Sequence, residues 1–257
     1  MKKIYLFANW KMYLNLRESQ ELAGDFTRLA VKMSPSVEMA VFPSALAWAS
    51  IRDVLNLADI RLGAQNVYWV DKGGYTGEIS AAMYKEAGCH YALVGHSERR
   101  HQFNESNSEV RKKMEAVLTA GLTPVLCVGE TDQERADGMS EQIVRRQVAR
   151  ALTDLDWSFD HELFIAYEPV WAISKSGVGV ACDAREAERM HAVIKKEVNA
   201  ILPNVKPIIL YGGSVRPENI AEYLSSSLVD GVLVGGASVK SDSWQSMVKI
   251  SSQVNID

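Results

Sequence analysis

Two stretches of this sequence place a side chain that can carry a proton just after an apolar run. His96 follows the run that ends at Val94, and Glu168 follows the run that ends at Tyr167. Histidine and carboxylate groups are the side chains most often used in general acid–base catalysis. If the two runs are strands that end at the same place, His96 and Glu168 form an acid–base pair.

The neighbours of both residues favour this interpretation over that of two ordinary polar side chains. A loop carboxylate is most often exposed, but the proline and tryptophan that follow Glu168 would stiffen the chain and shield the group from water. Ser97 and Glu98 are typical of the first turn of a helix, whose N-terminus disfavours a charged imidazole. His96 is therefore expected to stay neutral and to donate a hydrogen bond to a carbonyl oxygen. A base beside such a donor is suited to enolisation.

Other apolar runs are followed by residues that could bind an anion. Asn9 and Lys11 follow the first run, Gly212-Gly213-Ser214 follows the seventh, and Gly235-Gly236 follows the eighth. Glycine pairs are often simple tight turns, and a lysine is often a solvated surface charge. Two glycine turns after consecutive strands, each leading into a helix, can instead direct backbone N–H groups at a phosphate. We therefore expect a phosphate site beside the acid–base pair, with Lys11 pointing into it.

These groups can meet only if their strands end on one side of a common sheet. Eight short apolar runs predict strands, at residues 4–8, 37–42, 60–64, 91–94, 123–128, 163–167, 207–211 and 231–234. The runs are continuously apolar, as parallel strands buried on both faces are. Amphipathic segments between them predict helices, including 17–33, 108–120, 140–155 and 183–201. Ser108 and Ser140 are expected as N-caps and Gly121 as the residue just beyond a helix end.

Strands that alternate with helices predict parallel crossovers, and eight such units in about 250 residues is the size of a (β/α)8 barrel. An open doubly wound sheet is the competing fold, but no glycine-rich turn follows the first strand. No linker or composition break occurs, so residues 1–257 are expected to form a single barrel domain. In a barrel, the groups that follow the strands converge on one mouth.

Composition and motifs argue against several partners. The chain has 257 residues and a net charge of −4, so neither nucleic acid nor an anionic membrane surface is expected to bind it. The apolar N-terminal run is too short for a signal peptide, and no stretch approaches the roughly 20 apolar residues that span a bilayer. Cys89, Cys127 and Cys182 form no CxxC pair, which favours reduced thiols in a cytoplasmic protein. No metal-ligand spacing or nucleotide motif occurs, so neither a metal nor a cofactor is expected.

Eight short motifs occur together and carry a resemblance to one family. They are Asn9-Trp10-Lys11-Met12, Gly63-Ala64-Gln65-Asn66, Thr76-Gly77-Glu78, Gly95-His96-Ser97-Glu98-Arg99-Arg100, Cys127-Val128-Gly129-Glu130, Ala166-Tyr167-Glu168-Pro169-Val170-Trp171-Ala172, Tyr211-Gly212-Gly213-Ser214 and Val234-Gly235-Gly236-Ala237. With these motifs the chain resembles the triosephosphate isomerase family over essentially its whole length. The resemblance implies interconversion of dihydroxyacetone phosphate and D-glyceraldehyde 3-phosphate through an enediolate, a step of glycolysis and gluconeogenesis.

The resemblance also implies a role for each site residue. Glu168 would move the proton between two carbon atoms while His96 and Lys11 polarise the oxygen atoms. Asn9 and Glu98 would support them. The phosphate would be bound by the glycine turns and by the lid that follows Glu168, through Gly213, Ser214, Gly235, Gly236 and the amide of Ser174. Tyr211 would help to hold the lid closed.

The lid, residues 169–182, departs from the family pattern after Ile173. The family usually has Gly-Thr-Gly-Lys-Thr-Ala there, whereas this chain has Ser174-Lys175-Ser176-Gly177-Val178-Gly179-Val180-Ala181-Cys182. We expect this lid to close less completely than usual, because two glycines at its tip increase the entropy of the open form.

The segment at residues 66–80 predicts a homodimer. It is long for a barrel loop, and it carries three aromatic side chains that a monomer would leave in water, Tyr68, Trp69 and Tyr75. In the family this loop enters the neighbouring subunit, where Thr76 would brace Asn9 and Lys11.

Two other functions stay open at this point. The chain could be a paralogue that isomerises a longer ketose phosphate, such as a tetrulose phosphate, or a barrel retained as a non-catalytic binding protein. The joint presence of Asn9, Lys11, His96 and Glu168 argues against a loss of activity.

Overall fold

The chain forms a closed eight-stranded parallel barrel. The computed structural model describes residues 2–157, 162–173 and 181–254. The strands are β1 Ile4–Asn9, β2 Val37–Phe42, β3 Arg61–Ala64, β4 Tyr91–Val94, β5 Thr123–Val128, β6 Phe164–Tyr167, β7 Ile208–Tyr211 and β8 Gly231–Val234. Each strand pairs with the next, and β8 pairs with β1. The predicted (β/α)8 barrel is confirmed, with every strand end within one residue of its expected place, and the open-sheet alternative is wrong.

Helices cover the outside of the barrel. In the described residues they are α1 Leu16–Ala30, α2 Ala45–Asn56, α3 Ala81–Glu86, α4 Ser97–Gln102, α5 Asn107–Thr119, α6 Asp132–Ala136, α7 Ser140–Leu152, α8 Ala184–Ile201, α9 Ile220–Leu224 and α10 Ser241–Ser251. Two 3₁₀ turns, Val170–Ala172 and Gly236–Val239, follow β6 and β8. In the part of the chain described, no helix is long and apolar enough to cross a bilayer.

The predicted N-cap of α5 is wrong by two residues. Ser106, and not Ser108, is the cap: its side chain accepts the N–H of Glu109, whose carboxylate accepts the N–H of Ser106 in return. This reciprocal pair needs a Glu or Gln three residues after the cap. Ser106 has one there, whereas Ser108 has an arginine.

Of the other two predicted helix ends, one is wrong and one is confirmed. Ser140 is the first residue of α7, and the N-cap is Met139, which has no capping side chain. Gly121 follows the C-cap Ala120 of α5 with φ +73°, a conformation that favours glycine, so this prediction is confirmed.

Alternate strand residues face the barrel axis. Tyr5 and Phe7 of β1 pack inside the barrel against Phe164 of β6, with ring centroids 4.9 and 5.2 Å from the Phe164 ring. Side chains in a strand alternate between its two faces. The next inward positions beyond these aromatic residues are therefore Asn9 on β1 and, two residues beyond Ala166, Glu168 after β6. The packing of the barrel interior directs both polar side chains to its C-terminal mouth.

The connection between β3 and α3 extends away from the barrel. Residues 71–78 are all exposed. The Tyr68 ring stacks on Trp69 at 4.1 Å and packs on Tyr75 at 4.6 Å between ring centroids. Tyr75 is exposed, but this stacking leaves Tyr68 and Trp69 half-buried. The expectation that all three aromatic rings are exposed to solvent is thus correct only for Tyr75.

Candidate active site

The C-terminal strand ends open onto one cavity of about 1050 Å³. Eight of the predicted site residues line it: Asn9, Lys11, His96, Glu168, Gly213, Ser214, Gly235 and Gly236. They come from the ends of β1, β4, β6, β7 and β8. The structure therefore brings together residues that are as much as 227 positions apart in the chain.

The carboxylate of Glu168 is buried, and two N–H groups contact it. Oε2 accepts the backbone N–H of Ser97 at 2.8 Å, and Oε1 lies 3.1 Å from Nε2 of His96. Ser97 was not expected to take part in the site. It is the first residue of α4, so its N–H belongs to a helix N-terminus, where negative charge is stabilised. The carboxylate is shielded from water while it still lines the cavity.

Two glycines make room for Glu168. The register of β5, β6 and β7 places Gly129 and Gly212 on either side of it. A β-carbon at Gly129 would lie 1.8 Å from the Glu168 carbonyl oxygen, and one at Gly212 would lie 2.8 Å from the Glu168 Cγ.

Cys127 is buried two residues before Gly129. Burial and the charge of Glu168 raise the pKa of the Cys127 thiol, so this group is neutral and not a nucleophile.

His96 caps α4 and is uncharged. Its Nδ1 accepts the N–H of Glu98 at 3.2 Å, and α4 begins at Ser97, which confirms the predicted helix start. An imidazolium carries hydrogen on both ring nitrogens and cannot accept this bond, so the hydrogen of His96 is on Nε2. Oε1 of Glu168, 3.1 Å away, can accept that hydrogen, whereas Nδ2 of Asn9 at 3.3 Å is itself a donor and cannot. His96 can therefore donate through Nε2 at the cavity wall.

Glu98 joins Lys11 to the same group of side chains. Nζ of Lys11 lies 2.8 Å from Oε1 of Glu98, and Oε2 of Glu98 lies 3.8 Å from Nδ1 of His96. The Glu98 carboxylate therefore lies between the Lys11 ammonium and the imidazole of His96.

Lys11 has an unusual backbone that neighbouring residues hold. Its φ is +48°, which is uncommon for a residue with a β-carbon and costs about 1–3 kcal/mol. Its N–H donates to Oδ1 of Asn9 at 3.1 Å, and its carbonyl accepts Nε2 of Gln65 at 2.9 Å. Gln65 belongs to one of the motifs, but no role was expected for it. It keeps Lys11 in the conformation that brings the ammonium to the cavity.

The glycine turn after β7 contacts two other parts of the mouth. The N–H of Ser214 donates to the Ala172 carbonyl at 3.1 Å. The Tyr211 hydroxyl lies against Gly213, where a β-carbon would be 2.2 Å from it. The next helix, α9, begins only at Ile220, so the expectation that this turn leads directly into a helix is wrong.

The turn after β8 does lead into a helical segment. Gly235 is the N-cap of the 3₁₀ turn Gly236–Val239, so the expected helical segment follows this glycine turn. A β-carbon at Gly235 would lie 3.0 Å from Cε of Lys11, so glycine lets the lysine cross the mouth closely. A β-carbon at Gly236 would meet only the Tyr13 ring, at 3.8 Å. The two glycines present only backbone to the cavity, and Ala237 and Val239 of the 3₁₀ turn line it as well.

A second buried carboxylate, Glu130, lies behind Glu168. It accepts Nε1 of Trp171 at 2.8 Å and the Tyr167 hydroxyl at 3.1 and 3.2 Å. The guanidinium of Arg135 lies 3.6 Å from the centre of the Trp171 ring. Glu130 follows β5 as Glu168 follows β6, but no role for it was expected. It ties the beginning of the lid to the barrel.

A third buried carboxylate, Glu105, supports the start of α4. It accepts the N–H of Gly95 at 3.1 Å, Nε of Arg99 at 2.6 Å and Nζ of Lys113 at 2.5 Å. Burial lowers the pKa of Lys113, and the charge of Glu105 opposes this shift. The cluster holds the segment that carries His96, and its sequence context did not reveal it.

Two predicted residues are not part of the observed group. Thr76 is exposed in the loop after β3, and among the described residues no hydrogen bond or ion pair joins it to Asn9 or Lys11. Ser174 lies outside the described residues, as do Gly177 and Gly179 of the lid. Within the described ranges, no group of three or more His, Cys, Asp or Glu side chains could hold a metal ion.

An acid–base pair, a lysine and two glycine turns at the C-terminal mouth of a (β/α)8 barrel define an isomerase of small phosphorylated sugars. The family model described as triosephosphate isomerase matches residues 4–251. The chain belongs to the triosephosphate isomerase family. It is therefore an enzyme that interconverts dihydroxyacetone phosphate and D-glyceraldehyde 3-phosphate.

Similar proteins cover nearly the whole chain. The triosephosphate isomerase of Gloeobacter violaceus (strain ATCC 29082 / PCC 7421) is 43% identical over 250 residues, which are 96% of this chain and 98% of the relative. That of Trichodesmium erythraeum (strain IMS101) is 41% identical over 96% of this chain and 99% of the relative. That of Dictyoglomus thermophilum (strain ATCC 35947 / DSM 3960 / H-6-12) is 38% identical over 97% of this chain and 100% of the relative. Neither a tetrulose phosphate isomerase nor a non-catalytic barrel is favoured by these matches.

Proposed function

We propose that Glu168 is the base of the isomerisation. It removes a proton from carbon 1 of dihydroxyacetone phosphate and returns it to carbon 2. An enediolate forms between the two steps, and at that stage the hydroxyl proton passes from oxygen 1 to oxygen 2. The observation that carries this proposal is the buried carboxylate at the cavity wall, 2% exposed, beside an imidazole that is neutral. A shielded carboxylate within reach of the substrate carbons is suited to proton transfer.

His96 and Lys11 stabilise the negative charge that develops on the two oxygen atoms. The Nε2–H group of His96 donates to them, and the Lys11 ammonium supplies a positive charge. Donors that are already in place before the reaction stabilise a transition state most effectively. The contacts of Asn9, Glu98 and Gln65 support this role, because Asn9 and Gln65 hold the lysine backbone and Glu98 holds the ammonium and the imidazole.

The phosphate binds at the two glycine turns. Gly213, Ser214, Gly235 and Gly236 line the cavity beside Lys11. Backbone N–H groups at such turns bind anions well. An additional contact from the Ser174 amide stays a prediction from the sequence, as does the looser closure of the lid.

The active form is a homodimer built on residues 66–80. These residues extend from the barrel, and further apolar side chains are exposed near the mouth and at the end of α4, among them Met12 at 95% and the C-cap Phe103 at 66%. A second subunit would cover them and bring its Thr76 to Lys11. Light scattering should give the mass of a dimer, and activity should fall on dilution. A monomeric mass with full activity contradicts this proposal.

The enzyme acts in the cytoplasm on a free small sugar phosphate. Cys89, Cys127 and Cys182 are buried and unpaired, which suits a reducing compartment. Cell fractionation, followed by the isomerase assay on each fraction, tests this location.

A coupled assay run in both directions tests the reaction and the base. The wild-type protein should isomerise triose phosphate and act far more slowly on tetrulose phosphate. The Glu168→Gln variant should lose turnover while it still binds inorganic phosphate. Full activity in this variant would show that Glu168 is not the base.

A further inference from the structure

We propose that Tyr223 is a positioning residue for phosphate binding. Its hydroxyl holds the Tyr211 side chain and the Cys182 carbonyl, and through Tyr211 it sets the position of the Gly213 turn. This inference rests on the phosphate site proposed above. Tyr223 does not line the cavity and has no contact with the acid–base pair among the described residues.

The contacts of Tyr223 join three segments that are distant in sequence. It lies on α9 and is 2% exposed. Its hydroxyl donates to the Cys182 carbonyl at 2.5 Å, just before α8 begins. Its ring stacks on that of Tyr211 with 4.1 Å between centroids and 23° between planes. Tyr223 therefore ties α9 to the end of β7 and to the chain that enters α8.

The direction of the hydrogen bonds follows from the number of donors. The Tyr223 hydroxyl has one hydrogen, which the Cys182 carbonyl takes. Its oxygen can then accept the Tyr211 hydroxyl, which lies 3.4 Å away. Burial raises the pKa of both phenols, so both keep their hydrogen at neutral pH. The result is a buried chain of bonds from Tyr211 through Tyr223 to Cys182.

This chain ends directly beneath the phosphate turn. The Tyr211 hydroxyl occupies the space where a side chain on Gly213 would begin. The position of the hydroxyl therefore limits the position of the Gly213 backbone at the wall of the cavity that is proposed to bind phosphate. A turn that binds through its backbone depends on whatever packs underneath it, because it has no charged side chain to adjust.

The Tyr223→Phe variant tests the proposal, because it keeps the stacked ring and removes only the hydroxyl. We expect the inhibition constant of inorganic phosphate and the KM for triose phosphate to rise about three- to tenfold, the equivalent of one hydrogen bond. The value of kcat should change by less than about twofold. Turnover of D-glyceraldehyde, which has no phosphate, should be unchanged. A general structural role would lower the turnover of both substrates.

Two control variants show whether a negative result concerns the role of Tyr223 or the phosphate site itself. Tyr84→Phe removes a buried tyrosine hydroxyl on α3, away from the cavity, and should leave phosphate inhibition unchanged. Gly236→Ala tests the phosphate site itself. If phosphate inhibition weakens in Gly236→Ala but not in Tyr223→Phe, the role of Tyr223 is wrong and the phosphate site stands. If it weakens in neither, the phosphate site is wrong, and the role of Tyr223 with it. An equal change in Tyr84→Phe also overturns the proposal.

Discussion

The barrel mouth has two halves that are built in different ways. The half that is proposed to be catalytic, called here the catalytic half, consists of the side chains of Asn9, Lys11, His96 and Glu168, and each of these has a polar partner. The half that is proposed to bind phosphate, called here the phosphate half, consists of residues 212–214 and 235–236, four glycines and a serine. It presents backbone to the cavity, and its shape depends on what packs beneath it.

This difference follows from the chemistry that each half is proposed to perform. Only side chains supply a base and a charged group, and their placement must be accurate to less than about 1 Å. Phosphate binding needs N–H groups, which the backbone supplies wherever no β-carbon is in the way. Substitutions in the catalytic half should therefore change kcat, and those in the phosphate half should change KM.

Among substitutions in the catalytic half, Glu168→Gln should have the largest effect, because glutamine keeps the shape of the side chain and cannot accept a proton. We expect kcat to fall about 10²–10⁴-fold, the usual contribution of a general base. Glu168→Asp withdraws the carboxylate by one methylene group and should cost about a hundredfold. Inhibition by inorganic phosphate, measured in parallel, should stay within about threefold of wild type. A large change in phosphate inhibition would mean that the two halves are not separate.

The His96→Gln variant removes the neutral donor and keeps the base. Loss of one such donor should lower kcat about 10²–10³-fold with little change in phosphate affinity. This prediction depends on a neutral His96, which nitrogen NMR at pH 7 tests. It should show His96 with hydrogen on Nε2 alone, because Nδ1 accepts the Glu98 N–H. A doubly protonated ring would contradict the assignment of His96 as a neutral donor.

The Gly236→Ala variant should affect only the phosphate half. The added methyl group meets no atom closer than 3.8 Å, so the fold can accept it. It would stand at the proposed phosphate position, and KM should rise about tenfold, as for the loss of one charge-assisted hydrogen bond. Steady-state kinetics should show kcat within about twofold of wild type. A fall in kcat without a rise in KM would reverse the assignment of this turn.

A substitution outside both halves should change stability and leave turnover unchanged. Burial lowers the pKa of His191 from 6.5 to about 4, against a weaker opposing effect of the Leu228 carbonyl. The unfolded chain therefore binds more protons between these values. The free energy of unfolding is therefore highest above pH 6.5 with respect to this group. It falls by about 3 kcal/mol in total as the pH decreases towards 4.

The matched variant for this effect is His191→Gln, which can still donate to the Leu228 carbonyl and does not titrate. Denaturant unfolding from pH 4 to pH 7 should show a weaker pH dependence than in wild type. Both kcat and KM at pH 7 should match the wild-type values. An identical pH dependence in the two proteins would show that His191 is not the titrating group.

The strands could be predicted to within one residue because each is a continuous apolar run, as burial on both faces requires. Helix ends were harder. Ser106 and Ser108 are both suitable caps, and only the glutamate three residues after Ser106 decides between them. The turn after β7 was misjudged for a related reason, since a glycine pair does not show how far away the next helix begins.

Three of the residues that were missed, Glu130, Ser97 and Gln65, act through distant partners, whereas Glu105 binds residues six to ten positions away. Glu130 binds Trp171 and Tyr167, which lie 41 and 37 positions along the chain. Ser97 contacts Glu168 over 71 positions through its backbone, so its side-chain type carries no signal. Local patterns show which residues follow a strand, and they do not show what those residues touch.

The sequence by itself determined which groups reach the mouth. A run of buried strand residues with a period of two directs the next inward position towards the C-terminal end, and Asn9 and Glu168 occupy such positions. Only the tertiary structure decided how these groups are held. The register of β5, β6 and β7 places Gly129 and Gly212 beside Glu168, and the start of α4 supplies the N–H that the His96 side chain accepts. Register and helix docking depend on packing across the whole barrel, which no local stretch of sequence specifies.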